Sequence, residues 1–408
     1  MPGLRADGRA LSLLFETAVP MDATASTPAR TGRPLPGRAE QRATRIVFFI
    51  AGFGMAAWAP LVPFAKANTG LDEGALGLLL LCFGAGSLVT MPLSGAIAAR
   101  FGCRLALIVA SAVICVSLPL LPVLTSPVLL AAMLFVFGAG VGSVDCVMNI
   151  QAVIVERASG RTMMSGFHGL FSVGGILGAG GVSLLLMLGA SPLAAALVVA
   201  GLIVLAIMAA GPALLPYGGE GDGPAFAVPR GIVLFIGILC FILFLAEGSV
   251  LDWSSVFLSA ERGLDPAHAG FGYSAFALTM TIGRLTGDRI VRRLGPRVIM
   301  LGGGILAAAG FAVATLIAHP LAGFLGFALV GAGCSNIVPV LYSAVGRQKT
   351  MPEHIAVPAI STLGYLGILA GPAAIGFVAH AASLPAAFLL LSVLLLGVAF
   401  SSSWVGGR

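Results

Sequence analysis

Twelve stretches of about 20 mostly apolar residues dominate this chain of 408 residues and leave little room for a water-soluble fold. Only 9% of the residues are charged, whereas soluble domains carry about 25%. The stretches are too long and too uniformly apolar for the strands of a membrane barrel. They therefore predict an all-α membrane protein with twelve transmembrane helices, here called spans 1 to 12: 46–66, 75–99, 104–124, 128–155, 163–189, 192–215, 231–258, 267–290, 297–318, 320–345, 355–380 and 384–404.

The chain repeats itself at an offset of 193 positions. The segment from Arg100 to Arg104 returns as the segment from Arg293 to Arg297, and Gly138-Ala139-Gly140 returns as Gly331-Ala332-Gly333. The repeat predicts two pseudo-symmetric six-helix bundles, residues 46–215 and 231–404. A Gly- and Pro-rich linker, residues 216–230, joins them, and residues 1–45 are expected to form a disordered tail, with Met21 as an alternative start.

The basic residues sort by membrane side, so the net charge of +6 does not point to nucleic acid. Apart from Lys66 and Arg262, every lysine and arginine falls in the tail, in the linker, at the C-terminus or in a loop on the same side of the bundle. The positive-inside rule places that side, both termini and the linker in the cytoplasm. We expect a multi-pass protein of the cytoplasmic (inner) membrane.

Two similar halves around a central path are typical of carriers that expose one site to each side of a membrane in turn. The sequence has no nucleophile–base pair, phosphate loop or cysteine spacing for a metal, so we do not expect an enzyme, a cofactor or a metal site. The expected energy source is the proton gradient. The expected partners are a small-molecule substrate and the lipid bilayer, with the chain acting as a monomer.

Three acids lie within predicted spans: Asp145 in span 4, and Glu247 and Asp252 in span 7. An ionised side chain in the bilayer costs at least ~2.5–3.5 kcal/mol, so such residues face an internal cavity and usually function there. No lysine or arginine is expected at their depth. We therefore predict that Asp145 and Glu247 gain and lose a proton as the cavity opens to either side.

Other polar and aromatic residues are candidates for the substrate cavity. Asn149 follows Asp145 by four residues and shares its helix face. His168 in span 5 could donate a hydrogen bond to Asp145 or Asn149. The remaining candidates are Asp252 beside Trp253, near the outer end of span 7, together with Trp58, Asn336 and Tyr365.

The repeated loop predicts a cytoplasmic gate. Its first copy runs from Gly95 to Arg104, with Ala99 at a central position, and its second copy runs from Gly283 to Arg297 and contains Asp288. We expect an ion-pair network around Asp288 to hold this side closed in one state. The predicted gate residues are Arg100, Arg104, Arg284, Asp288, Arg289 and Arg293.

These motifs resemble the major facilitator superfamily over residues 46–404. The loop is similar to the superfamily's signature loop, with Ala99 where the signature has an acid. Asp145-Cys-Val-Met-Asn149 resembles the coupling-acid motif of the fucose-permease-like sugar–proton symporters, and Phe48-Phe49, Gly52 and Pro63 also fit that branch. Its second acid would fall on Ala59, so we expect Glu247 or Asp252 to supply the second carboxyl.

The sequence thus predicts a secondary active transporter that moves a small polar solute, such as a sugar or another metabolite, by proton-coupled alternating access. The alternative is a proton-driven exporter of drug-like or cationic amphipathic compounds that would use Glu247 and Asp252 against positive charge. The pattern is compatible with uptake or export, and with proton or sodium coupling.

Overall fold

A computed structural model of the chain describes residues 36–71, 73–218, 228–264 and 271–405. Within these residues the regular structure is helical and includes no strand. The long elements are α1 (Arg38–Ala56), α2 (Val62–Thr69), α3 (Glu73–Leu120), α4 (Pro127–Ser159), α5 (Met164–Met187), α6 (Pro192–Ala210), α7 (Ile232–Arg262), α8 (Phe271–Leu316), α9 (Pro320–Cys334), α10 (Ile337–Val345), α11 (Glu353–Ala381) and α12 (Leu384–Phe400), followed by the short α13 (Ser402–Val405).

Two glycines explain how these helices give twelve spans. α3 and α8 are 48 and 46 residues long, and each is interrupted by a glycine with non-helical torsions: Gly102 (φ 84°, ψ 157°) and Gly295 (φ 80°, ψ 157°). Among the described residues, ten helical segments are long and apolar enough to cross a membrane. Dividing α3 and α8 at their glycines is consistent with twelve spans, and the all-α membrane fold is confirmed.

Span 1 and span 10 are each interrupted once. The first is divided into α1 and α2 by a 3-10 turn, Ala59–Leu61, where Pro60 cannot donate a backbone hydrogen bond. The second is divided into α9 and α10 at Ser335 and Asn336. Trp58 and Asn336 lie at these interruptions, each directly before the helical segment that follows.

Several helices begin at a serine followed by a proline. Ser126 Oγ accepts from Leu129 N at the start of α4, and Ser191 Oγ accepts from Ala194 N at the start of α6. Serine satisfies a backbone N–H that has no partner in the first turn, and proline at the first helical position lacks that N–H altogether. These local signals set the ends of the spans.

The packing repeats between the two halves. In the first half α1 packs against α5 and α3 against α4, and in the second half α7 packs against α11 and α8 against α9. The halves meet where α3 contacts α11, where α5 contacts α8, and where α4 contacts α10 and α11. We call this set of contacts the seam.

Some helices are apolar on every side. Leu205 and Met208 of α6 are exposed, as are Leu390 and Val393 of α12. A helix without a polar face is typical of a membrane span that touches both protein and lipid. These side chains therefore mark the lipid-facing perimeter of the bundle.

The prediction that residues 1–45 form a disordered tail is wrong for residues 38–45. α1 begins at Arg38, and Gly37 N donates to Glu40 Oε2 at 2.6 Å, which caps the helix start. Residues 38–45 are therefore helical, while residues 1–35 lie outside the described residues. Of the predicted linker, residues 219–227 also lie outside them.

The two interrupting glycines give a matched pair for testing backbone strain. Gly295→Ala should lower the free energy of unfolding by about 1–3 kcal/mol, because a positive φ combined with ψ 157° is a backbone conformation that essentially only glycine adopts. Gly102→Ala should cost more, because its Cβ would also lie 2.3 Å from Pro216 O, whereas at Gly295 it meets no described atom within 4 Å. Thermal unfolding of both variants in detergent measures the difference; equal losses would contradict it.

Candidate functional site

One end of the bundle carries the arginine-rich loops that follow spans 2, 4, 8 and 10, and it is called the arginine-rich end here. There α8 of the second half caps α5 of the first half. Asp288 Oδ1 accepts from Gly166 N at 3.1 Å, and Thr162 Oγ1 donates to Asp288 O at 3.1 Å. A carboxylate at the start of a helix satisfies an unpaired N–H and interacts favourably with the helix dipole. Asp288 therefore joins the two halves directly.

The expected ion-pair network around Asp288 is not what closes this end. In the described part of the chain, Asp288 forms no salt bridge with Arg284, Arg289 or Arg293. Arg289 and Arg293 are exposed. The acid stabilises the contact through a helix cap because the start of α5 lies closer to it than any guanidinium group does.

The first copy of the loop acts within its own half. Arg104 donates to Leu214 O at 2.9 Å and to Pro212 O at 2.6 Å, both beyond the end of α6. The guanidinium carbon Cζ of Arg100 lies 5.2 Å from the ring centroid of Phe101. Neither arginine forms a hydrogen bond or ion pair across the seam among the described residues, and their gate role stays a prediction.

Two side-chain contacts that the sequence analysis missed do cross the seam. Glu156 at the end of α4 accepts from the N–H groups of Met163 and Met164, each at 2.7 Å, and from the hydroxyl of Ser343 in α10. Arg157 pairs with Glu353 at the start of α11. The adjacent Glu156-Arg157 pair at a helix end was visible in the sequence, but its partners depend on tertiary packing.

The α3–α11 side of the seam is held by close backbone approach. A Cβ at Gly95 would lie 2.2 Å from His354 O, so only glycine allows α3 this near to α11. Ala99, which replaces the acid of the loop signature, is one turn further along α3. The two sides of the seam are therefore closed by different means.

Arg284 lies deeper than predicted and belongs to a buried cluster rather than to the gate. It is 7% exposed, and its Nη2 is 3.5 Å from Glu247 Oε2 in α7. Nη1 donates to Ser172 Oγ in α5 at 3.2 Å, and Nε donates to Ser335 O at 3.4 Å. The expectation that Glu247 has no cationic partner is therefore wrong. Arg284 connects that acid to a helix of the other half.

Asp145 differs from Glu247 in having no such partner. It lies near the middle of α4 and is half-buried, and within the described residues no hydrogen bond or salt bridge involves its carboxylate. The phenols of Tyr342 and Tyr365, on α10 and α11 of the second half, lie within electrostatic range of its carboxylate. Asp145 is thus a half-buried acid that faces the other half.

Asn149 and His168 lie in the first half near the opposing helices. Asn149 Nδ2 donates to Asp145 O at 2.9 Å, which leaves its Oδ1 buried and unpaired among the described residues. The ring of His168 is 5.3 Å from that of Phe48 and 5.6 Å from that of Tyr342. The expected hydrogen bond from His168 to Asp145 or Asn149 is absent from the described residues.

The remaining candidates occupy different surroundings. Asn336 Nδ2 donates to Gly283 O and to Ser335 Oγ, each at 3.0 Å, and so ties α8 to the interruption between α9 and α10. Trp58 is buried, and Tyr365 is half-buried on α11. Asp252 is exposed, so of the three predicted acids it is the one least enclosed by protein.

Nine buried side-chain polar atoms lack a partner within the described residues, and four of them belong to predicted site residues: Asn149 Oδ1, His168 Nε2, Glu247 Oε1 and Asn336 Oδ1. Two of these four come from each half. Burying a polar atom without a hydrogen bond is costly, and each such atom in a native structure calls for an explanation. Their distribution over both halves suits water or a polar ligand between them.

Comparisons with known proteins agree with this architecture. A family model for the Major Facilitator Superfamily matches residues 46–354 and 236–406. An uncharacterized MFS-type transporter of Yersinia pestis is 56% identical over 368 residues, covering 90% of this chain and 96% of that protein.

Solved structures share the fold. The crystal structure of a single-substitution variant of the E. coli fucose:proton symporter, FucP, has a TM-score of 0.73 at 15% identity and covers 90% of this chain and 98% of that one. A FucP structure in the outward conformation has a TM-score of 0.73 at 17% identity and covers 91% and 100%. At these identities the likeness concerns the fold alone.

The cap that Asp288 provides can be tested by removing it. Asp288→Ala should destabilise the closed seam by about 1 kcal/mol, which is roughly a fivefold change in the population open at the arginine-rich end. Spin labels on the α5 and α8 ends of a purified sample would report the change as a longer distance. Asp288→Asn keeps an acceptor oxygen and should open the seam less; a stronger effect of Asn than of Ala would contradict the cap.

The buried pair can be tested by a double-mutant cycle. Arg284→Gln leaves Glu247 without its cation and should destabilise the fold by about 3 kcal/mol. Adding Glu247→Gln to that variant should restore much of the loss, because no unpaired charge then remains buried. Thermal unfolding of Arg284→Gln, of Glu247→Gln and of the double variant completes the cycle, and additive losses would show that the two side chains act independently.

Proposed function

The chain belongs to the major facilitator superfamily, and from this membership we propose that it is a secondary active transporter. It moves a small polar solute across the cytoplasmic membrane by alternating access, coupled to protons. The proposal rests on Asp145, a half-buried acid whose carboxylate has no hydrogen-bonding or ionic partner within the described residues.

An acid in this position can couple solute movement to protons. Its charged form is costly in the membrane, and no nearby cation offsets that cost. When water reaches Asp145 from one side, the carboxylate is hydrated and can ionise; when the site closes, the neutral form is favoured. A proton is therefore taken up or released according to which side is open.

Glu247 is suited to a different role. Arg284 already balances its charge and also reaches Ser172 in the other half. Separation of α5 from α8 would break the hydrogen bond that Arg284 donates to Ser172. It would thereby change which hydrogen bonds Arg284 can donate to Glu247. We assign Glu247 as the second coupling acid, one that responds to the distance between the halves.

The unpaired buried atoms support a polar solute. Asn149 Oδ1, Glu247 Oε1 and Asn336 Oδ1 accept hydrogen bonds, and a solute rich in hydroxyl groups would supply the donors. The fold likeness to a fucose:proton symporter makes sugar-like solutes the first to test. The alternative, an exporter of cationic compounds, would use Glu247 and Asp252 against positive charge, but Arg284 already balances Glu247 and Asp252 is exposed.

The seam contacts support alternating access. Asp288, Glu156 and Arg157 join the halves at the arginine-rich end, which the positive-inside rule makes the cytoplasmic end. This arrangement corresponds to a state closed toward the cytoplasm. Opening to that side requires these contacts to break together.

The solute class can be identified by thermal-shift screening of the purified protein against sugars, polyols, amino acids and amphipathic cations. A ligand that binds the folded state raises the melting temperature, and above Kd the stabilisation grows with the logarithm of the ligand concentration. Stabilisation by sugars or polyols supports the proposal, whereas stabilisation by amphipathic cations alone contradicts it.

Asp145→Asn tests the coupling role in proteoliposomes loaded with the solute so identified. The amide cannot carry a proton, so accumulation driven by a proton gradient should be lost, while exchange of labelled for unlabelled solute should continue at a rate within about threefold of wild type. Glu261→Gln, at an exposed acid near the end of α7, is the matched control and should accumulate solute normally. Accumulation that persists in Asp145→Asn would show that another group carries the proton.

A further inference from the structure

A cavity of 260 Å³ lies at the arginine-rich end, between the turn that follows α4 and the end of α10. Both halves line it. We call it the arginine cavity because three of its lining residues are arginines: Arg157 and Arg161 from the first half and Arg347 from the second.

Two of these arginines form no salt bridge within the described residues. Arg157 pairs with Glu353, and the acid that lines the cavity, Glu156, accepts from Ser343 and from two backbone N–H groups. Arg161 and Arg347 are exposed, and within the described residues neither forms a salt bridge. Two cations from opposite halves therefore line one concave site, and Glu156, the acid of that lining, forms no salt bridge with either among the described residues, so the lining carries more positive than negative charge.

Topology alone does not explain this arrangement. The positive-inside rule requires arginines at this end, and the exposed Arg230, Arg289 and Arg293 satisfy it without lining the cavity. It does not require arginines of both halves to line the same cavity. Like charges brought together in this way repel each other unless an anion lies between them.

We propose that the arginine cavity binds a phosphate-bearing anion that bridges Arg161 and Arg347 and holds the arginine-rich end closed. Guanidinium groups donate paired hydrogen bonds that match phosphate oxygens. The source of the phosphate is either a soluble phosphate or the headgroup of an anionic phospholipid. The site is separate from the central residues assigned to the solute.

Such a site would regulate the conformational cycle. The two arginines belong to different halves, so they can hold one anion only while the halves are together at this end. A ligand that binds one state better shifts the equilibrium toward it by its difference in affinity. Anion binding should therefore lower the population that is open at the arginine-rich end.

Binding of radiolabelled inorganic phosphate to the purified full-length protein in detergent tests the soluble source. We expect saturable binding that Arg161→Gln or Arg347→Gln each weakens roughly tenfold, because each removes a charge-assisted contact. Arg230→Gln, an exposed arginine outside the cavity, is the matched control and should bind as wild type does. Arg347→Lys keeps the charge and should bind better than Arg347→Gln, and melting curves verify that each variant is folded.

A second arm tests the lipid source and the effect on conformation. Spin labels on the α4 and α10 ends report the distance across the seam in nanodiscs of neutral lipid, of neutral lipid with added phosphate, and of anionic phospholipid. A shorter distance with either phosphate source, lost in both glutamine variants, supports the proposal and identifies the source. Binding that does not depend on the two arginines, or no response to either source, overturns it.

Discussion

Polar groups at the seam are satisfied by the opposite half, and the rest of the structure depends on this constraint. Asp288 caps α5, Glu156 accepts from Ser343, and Arg157 pairs with Glu353. In a low-dielectric bundle a buried carboxylate without a partner is costly, so these contacts are either all made or replaced by water as the ends separate. Contacts that form or break together in this way would give the two discrete arrangements that the proposed alternating access requires.

Glu247 and Asp145, the two acids at mid-depth, have different surroundings in the same bundle. Arg284 holds Glu247 and connects it to Ser172 across the seam. Asp145 has tyrosines of the opposing helices nearby but no cation among its described contacts. The first acid is therefore tied to the distance between the halves, and the second to its access to water. Solute and proton movement can be linked through both because they face the same interface.

Much of this architecture could be predicted from sequence because membrane topology follows from local composition. The repeat at Gly102 and Gly295 corresponds to two equivalent interruptions with nearly equal torsions. Arg284 was misplaced because it was grouped with its loop motif. It lies eleven residues before Gly295, and at 1.5 Å per residue it is about 16 Å into the bundle, so helix depth could have shown its place. The Ser343 and Glu353 contacts depend on how the halves dock, which no local pattern records.

Infrared difference spectroscopy of ligand binding tests most directly whether Asp145 is the acid that changes protonation. The account predicts a carboxylic-acid band that changes when the solute binds, that disappears in Asp145→Asn and that persists in Glu247→Gln. A band that is unchanged in Asp145→Asn would contradict it and would leave the fold and the seam without the proposed coupling.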